Sequence, residues 1–274
     1  MAELTPMAWD DVDYDALCRR IKAVAFDLDG TLARSKRPMK QPIADEFANL
    51  THLMPVAVVS GGRWSLVDSQ VVQMVQDRSD RSNLHLMPTS GTRYIRWDAA
   101  KGEWQKVFEH DLTKDERDAA FASLERRAKE LGSWEEHTWG ERIDDRGSQI
   151  TYSALGQEAP VEAKEAWDPT GAKRKALAEA CQKDLPSLTV KAGGSTSVDI
   201  SLKGIDKAYA VRELCKILGI DVSQLCYIGD RMGPEGNDYP AVQAGTASIH
   251  VDGPEDTIQC IERIEASWKA LHRD

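Results

Sequence analysis

The stretch "AFDLDGTL" (25–32) places two carboxylates, Asp27 and Asp29, at the end of an apolar run and directly before Gly30-Thr31. An unpartnered carboxylate is costly to bury, so a ligand must reward the pair. At a strand end Asp27 is a candidate nucleophile or metal ligand, and Asp29 can reach the same ligand once the strand has ended. The two would repel each other unless a cation stands between them. Mg2+ suits an oxygen-only site that shares its coordination with a phosphate. An ordinary Asp-Gly turn would use the same residues with no ligand at all.

Three other polar clusters follow apolar runs or open helices. Ser60-Gly61-Gly62-Arg63 comes after "PVAVV" (55–59), where a hydroxyl and the amides opening a helix suit a phosphate, or serve as a plain loop or cap. Lys207 sits in the first turn of a helix capped by Asp206. The helix dipole opposes a cation there, which a neighbouring anion or open solvent would explain. In "YIGDRMGPEGNDYP" (227–240) a strand delivers Asp230, a glycine-rich loop follows, and Asn237-Asp238 open the next helix. Asp230 is placed to complete a metal site.

These clusters need strands and helices to bring them together. "IKAVAF" (21–26), "PVAVV" (55–59), "NLHLM" (83–87), "QLCYI" (224–228) and "ASIHV" (247–251) read as buried strands. Helical patterns at 42–52, 63–76, 207–218 and about 254–271 alternate with them. This is the pattern of an α/β protein with a Rossmann-like parallel sheet covered on both faces, whose ligands bind beyond the carboxyl ends of the strands. The middle is richer in charge and tryptophan. "GEWQKVFEH" (102–110) and "SQITYSAL" (148–155) read as half-exposed strands, 168–184 as a helix opened by Asp168-Pro169, and 188–202 as a strand pair around Gly193-Gly194. The expectation is a core domain over 1–92 and 202–274 with an α+β cap domain inserted at 93–201. Trp97, Trp104, Trp134, Trp139 and Trp167 either build the small core of that insert or stack on a sugar.

Length and charge narrow the function. A chain of 274 residues can bury a sizeable core. A net charge of −10 with no basic run argues against nucleic acid as a partner. The 5 cysteines form no CxxC pair, which suggests neither a disulfide framework nor a zinc site. The acidic N-terminus lacks an apolar signal core, and no apolar stretch is long enough to span a membrane. The expected compartment is the cytoplasm.

In order along the chain, "DLDGT", "VVSGG", Lys207 and "GD…ND" resemble the four motifs of the haloacid dehalogenase superfamily of phosphotransferases, in the group with a large cap between the second and third motifs. The chain is most similar to the eukaryotic-type phosphomannomutase branch. The extended fourth motif "GDRMGPEGND", the segments "DRGSQITYSALG" (145–156) and "GGSTSVDI" (193–200), and "GPEDT" (253–257) carry that likeness. It breaks at Leu155-Gly156-Gln157, where the branch has an Ile-Gly-Arg whose arginine binds substrate phosphate, and near Lys164, where a further arginine is expected.

The resemblance implies that Asp27 attacks phosphorus and that Asp29 serves as general acid and base. It implies Mg2+ held by Asp27, the Asp29 carbonyl and Asp230 with Asp238 in support, and Lys207 and Ser60 on the phosphoryl oxygens. Gly61, Arg146, Ser197 and Asp199 become the substrate-binding candidates. The substrate implied is a small phosphorylated sugar, and the resemblance allows a homodimer through the cap. Without its arginine, a mutase would hold the second phosphate poorly. The expected activity is therefore a Mg2+-dependent sugar-monophosphate phosphatase, with phosphomannomutase as the alternative.

Overall fold

Runs such as "AVAF" and "VAVV" are buried on both faces and can only be central strands of a covered sheet. The computed structural model describes residues 4–35 and 37–272. Its strands are β1 (Met7–Ala8), β2 (Ala23–Phe26), β3 (Val56–Val59), β4 (Leu84–Met87), β5 (Arg93–Asp98) and β6 (Glu103–Glu109). They continue with β7 (Ile143–Asp145), β8 (Gln149–Ser153), β9 (Leu188–Ala192), β10 (Ser197–Leu202), β11 (Leu225–Gly229) and β12 (Ala247–His250).

Two compact units result, Met1–Glu109 with Ile205–Asp274, and His110–Gly204. The first is built on an eight-stranded sheet of order β1-β12-β11-β2-β3-β4-β5-β6. It is parallel from β1 through β4 and antiparallel at β4-β5 and β5-β6. Alternate residues feed opposite faces. Val24, Phe26, Val58 and Ile228 pack with Phe47, Leu50, Ile261 and Ile264 on one side. Ala25, Val59 and Tyr227 pack with Ala210, Val211 and Leu214 of helix Lys207–Leu218 on the other.

The second unit carries a four-stranded antiparallel sheet of order β7-β8-β10-β9. Its apolar face, including Ile150, Tyr152, Val198 and Ile200, is covered by helices Lys114–Glu130 and Ala172–Asp184 through Leu124, Ala128, Leu177 and Cys181.

The division differs from the expected insert at 93–201. Hairpin β5-β6 extends the large sheet, so Trp97 and Trp104 belong to the first unit, where their rings meet edge-on. An edge hairpin is half-solvated and therefore charge-rich, which made it read like the insert. Helix Lys114–Glu130 is an addition to the sequence reading. The helix expected from Asp168 begins instead at Ala172 behind Gly171, and the Asp168 carboxylate accepts from the Lys173 and Arg174 amides. All 5 cysteines are buried and free. Among the described residues no helix is long and apolar enough to cross a membrane.

Candidate active site

β2 and β11 are parallel neighbours, and pairing continues one step past the strand as the Asp27 amide donates to the Ile228 carbonyl at 2.9 Å. Asp27 thereby stands beside Gly229-Asp230 at the carboxyl edge of the sheet. Beyond it the chain turns tightly, with the Leu28 carbonyl accepting from the amides of Leu32 and Ala33. Gly30 has φ +91°, and a Cβ there would lie 2.4 Å from an Asp230 carboxylate oxygen. Only glycine admits both the backbone conformation and that close approach.

Lys207 is 3 % exposed at its side chain, and its Nζ lies 2.5 Å from Asp27 Oδ1 and 2.5 Å from Asp238 Oδ1. A buried ammonium in the first helical turn is opposed by both burial and the dipole, so these carboxylates are its reason for being there. Burial alone would lower the Lys207 pKa, but Asp27 and Asp238 together carry it upward. Burial pushes the Asp27 carboxyl up, Lys207 pulls it down, and the Asp238 charge at the same ammonium leaves the balance upward. Asp230 is raised as well, by burial first and then by Asp238. One oxygen from each of Asp27, Asp230 and Asp238 lies within 4.8 Å of the other two. Three hard oxygen donors with one cation among them leave a surplus of negative charge, and such a set fits a divalent metal ion.

Asp238 precedes helix Tyr239–Gln243 but does not cap it with its side chain. It turns inward and is fully buried. Its Oδ1 accepts from Lys207 and from the Tyr227 hydroxyl at 2.6 Å, and its Oδ2 accepts from the Arg231 amide at 3.0 Å. Asp206 does cap its helix, accepting from the Tyr209 amide at 3.0 Å.

Asp29 lies outside the carboxylate triad. Its Oδ1 accepts from Gln70 Nε2 at 3.2 Å, and the same amide nitrogen donates to the Arg37 carbonyl at 2.9 Å. Gln70 is buried in a π-helical turn, Asp68–Val72, within an otherwise α-helical segment. Such turns often mark functional positions. The sequence reading passed over Gln70; a buried amide on an otherwise apolar helix face was the signal available.

Ser60 ends β3, next to β2, and is buried. Its Oγ accepts from the Gly62 amide at 3.0 Å, closing a turn that holds Gly61. The amides of Ser90 and Thr89 brace that turn at the Ser60 and Gly62 carbonyls, 2.8 Å and 2.9 Å away. Both bracing residues take left-handed φ, 55° and 50°, a strained conformation for Ser and Thr.

The remaining candidates lie in the second unit. Asp199 pairs with Thr151 across β10-β8, and its Oδ1 accepts from the Thr151 hydroxyl at 2.6 Å. Ser197 faces Ser153 in the same register. Arg146 forms an ion pair with Asp144 at 2.9 Å. Gln157 Nε2 turns towards the Thr151 carbonyl at 3.5 Å, while the Gln157 carbonyl accepts from Lys164 at 3.0 Å. Arg174, absent from the sequence reading, holds the Gly193-Gly194 turn through both carbonyls at 3.1 Å and 2.7 Å.

The chain has counterparts among known proteins. A family model described as "Eukaryotic phosphomannomutase" matches residues 137–267. The phosphomannomutase of Saccharomyces cerevisiae is 25% identical over 247 residues, covering 88% of this chain and 93% of the relative. The chain is similar to eukaryotic phosphomannomutases over most of its length. Solved structures share its fold. A haloacid dehalogenase-like hydrolase from Bacteroides thetaiotaomicron aligns with a TM-score of 0.60 at 16% identity, over 89% of this chain and 99% of that one. The Plasmodium falciparum IMP-nucleotidase aligns with a TM-score of 0.69 at 15% identity, over 93% of this chain and 71% of that one.

Proposed function

We propose that the protein is a Mg2+-dependent phosphatase of sugar monophosphates that works through an aspartyl-phosphate on Asp27. The observation that carries the reading is the buried Asp27–Lys207–Asp238 cluster, joined by Asp230, at the carboxyl ends of β2 and β11. Asp27 Oδ attacks phosphorus and the bond to the sugar oxygen breaks, with Asp29 giving that oxygen its proton. Asp29 then takes a proton from water as the water attacks phosphorus, and the bond to Asp27 breaks. Lys207 and Ser60 hold the phosphoryl oxygens and oppose their charge. A divalent cation held by Asp27, Asp230 and the Asp29 carbonyl, with Asp238 behind them, supplies further charge neutralisation when bound.

Arg146, Ser197 and Asp199 are our candidates for sugar contacts from the second unit, and Gly61 for the phosphate. Five buried, unpaired cysteines support a reducing cytoplasm as the compartment.

A second reading, phosphomannomutase, is favoured by the relatives that carry that name, among them the proteins of Saccharomyces cerevisiae and Spinacia oleracea. We place hydrolysis first because of Gln157. A mutase must hold one phosphate while the other reacts, and an amide turned towards the Thr151 carbonyl offers neither charge nor a bidentate fork. The test is 31P NMR of the protein with Mg2+, mannose 6-phosphate and a trace of glucose 1,6-bisphosphate. Growth of inorganic phosphate is the expected result. Growth of hexose 1-phosphate with little free phosphate would establish the mutase instead.

A further inference from the structure

Tyr227 lies in β11, two residues before Gly229, and is fully buried. Its ring packs among Ala25, Ala210 and Leu214, a setting that packing alone would fill equally well with phenylalanine. A phenol in such a place needs a partner for its hydroxyl. The partner is Asp238 Oδ1, the oxygen that also holds Lys207. A carboxylate oxygen only accepts, so at 2.6 Å from it the Tyr227 hydroxyl is the donor.

We propose that Tyr227 is a positioning residue for phosphoryl transfer, its hydroxyl fixing Asp238 so that Lys207 is shared between Asp238 and the nucleophile Asp27. An ammonium between two carboxylates settles according to the negative charge each presents. A phenol donating to Asp238 Oδ1 draws on that charge and relaxes the grip of Asp238 on Lys207. Lys207 is then held towards Asp27, beside the phosphoryl oxygens whose charge it opposes during transfer. The same bond keeps Asp238 turned inward: with three donors on its two oxygens it steadies the site from behind, and Asp27 and Asp230 face the cation. The inference rests on the reading of Asp27 as the nucleophile.

The test compares Tyr227→Phe with Asp27→Asn in the full chain with Mg2+ and a sugar monophosphate. Tyr227→Phe should keep its circular dichroism spectrum and lose about 10-fold in kcat with KM within about 2-fold of the parent, because an interaction realised only in the transition state has weakened. Affinity for vanadate, which imitates the transferring phosphoryl group, should fall in parallel, and affinity for inorganic phosphate should not. Appreciable turnover by folded Asp27→Asn would remove the nucleophile reading and this inference with it. If Asp27→Asn is inactive while Tyr227→Phe keeps its kcat and vanadate affinity, the positioning role alone is overturned. Equal losses of phosphate and vanadate affinity would show a merely structural effect and overturn it too.

Discussion

Two carboxylate clusters, one in each unit, solve the same electrostatic problem in opposite ways. In the first unit Asp27 and Asp238 share the single ammonium of Lys207 in near-complete burial, with Asp230 close by. In the second, Asp184 at the end of its helix is met by Arg127 through two hydrogen bonds of 2.7 Å and 2.8 Å, by Arg126 at 2.8 Å and by the Ser123 hydroxyl at 2.8 Å. The consequences for the acids are opposite. Burial pushes Asp27 up, whereas hydrogen bonds led by those of Arg127 hold Asp184 well below the usual carboxylate range. One cluster is closed on itself and ties two helices together. The other is left short of positive charge and is complete only with something added. A charge surplus inside a fold, more than the mere presence of acids, is what makes the first cluster the candidate site.

The contrast can be broken most severely at Asp27, the proposed nucleophile. Asp27→Asn is expected to reduce phosphate release by at least about 10³-fold while the circular dichroism spectrum stays native, as measured by steady-state phosphate assay. A folded variant with appreciable turnover would sink the assignment.

The next effect is on stability. Lys207→Met removes the ammonium that Asp27 and Asp238 share and should cost roughly 3–5 kcal/mol in urea unfolding, the range for breaking a buried ion pair. Millimolar Mg2+ should recover part of that loss, since a bound cation offsets the same surplus. A variant as stable as the parent would show that the cluster carries no such surplus.

The smallest effect belongs to the self-contained cluster. Asp184 has a lower pKa folded than unfolded, so its contribution is present above its ordinary value of about 4 and is lost as pH falls through the folded value. The gap in Tm between the parent and Asp184→Asn should therefore be widest near neutrality and narrow below about pH 4. A gap that does not depend on pH would assign the effect to packing.

The sequence disclosed these regions unevenly, for reasons of contact range. Asp27, Asp29, Lys207 and Asp230 were legible because local signals place them: a strand ends, a glycine turns the chain, a lysine stands where a helix dipole opposes it. Tyr227 was not, because within its own strand it looks like a core residue, and Gln70 showed only as a polar position on an apolar helix face; the partners of both are brought to them only by folding. The central strands were legible because every residue in them is apolar. Helix Lys114–Glu130 was not, because its buried face is Ala120, Ser123, Leu124 and Ala128, too small to stand out as a stripe. The capping box formed by Thr113 and Glu116 was the visible sign of its start.

The strand order has a consequence for how the protein is made. β2 lies between β3, which follows it in the chain, and β11, which arrives only after the whole second unit. Thr31 and its partner Asp230 stand 199 residues apart. A ribosome therefore releases Asp27 and Asp29 long before it makes Lys207, Asp230 and Asp238. Through most of its synthesis the nascent chain carries Asp27 without its ammonium and an open flank on β2, where β11 will later bind. Closing that flank is a long-range pairing of the slow kind, so folding of the first unit waits on the last quarter of the chain.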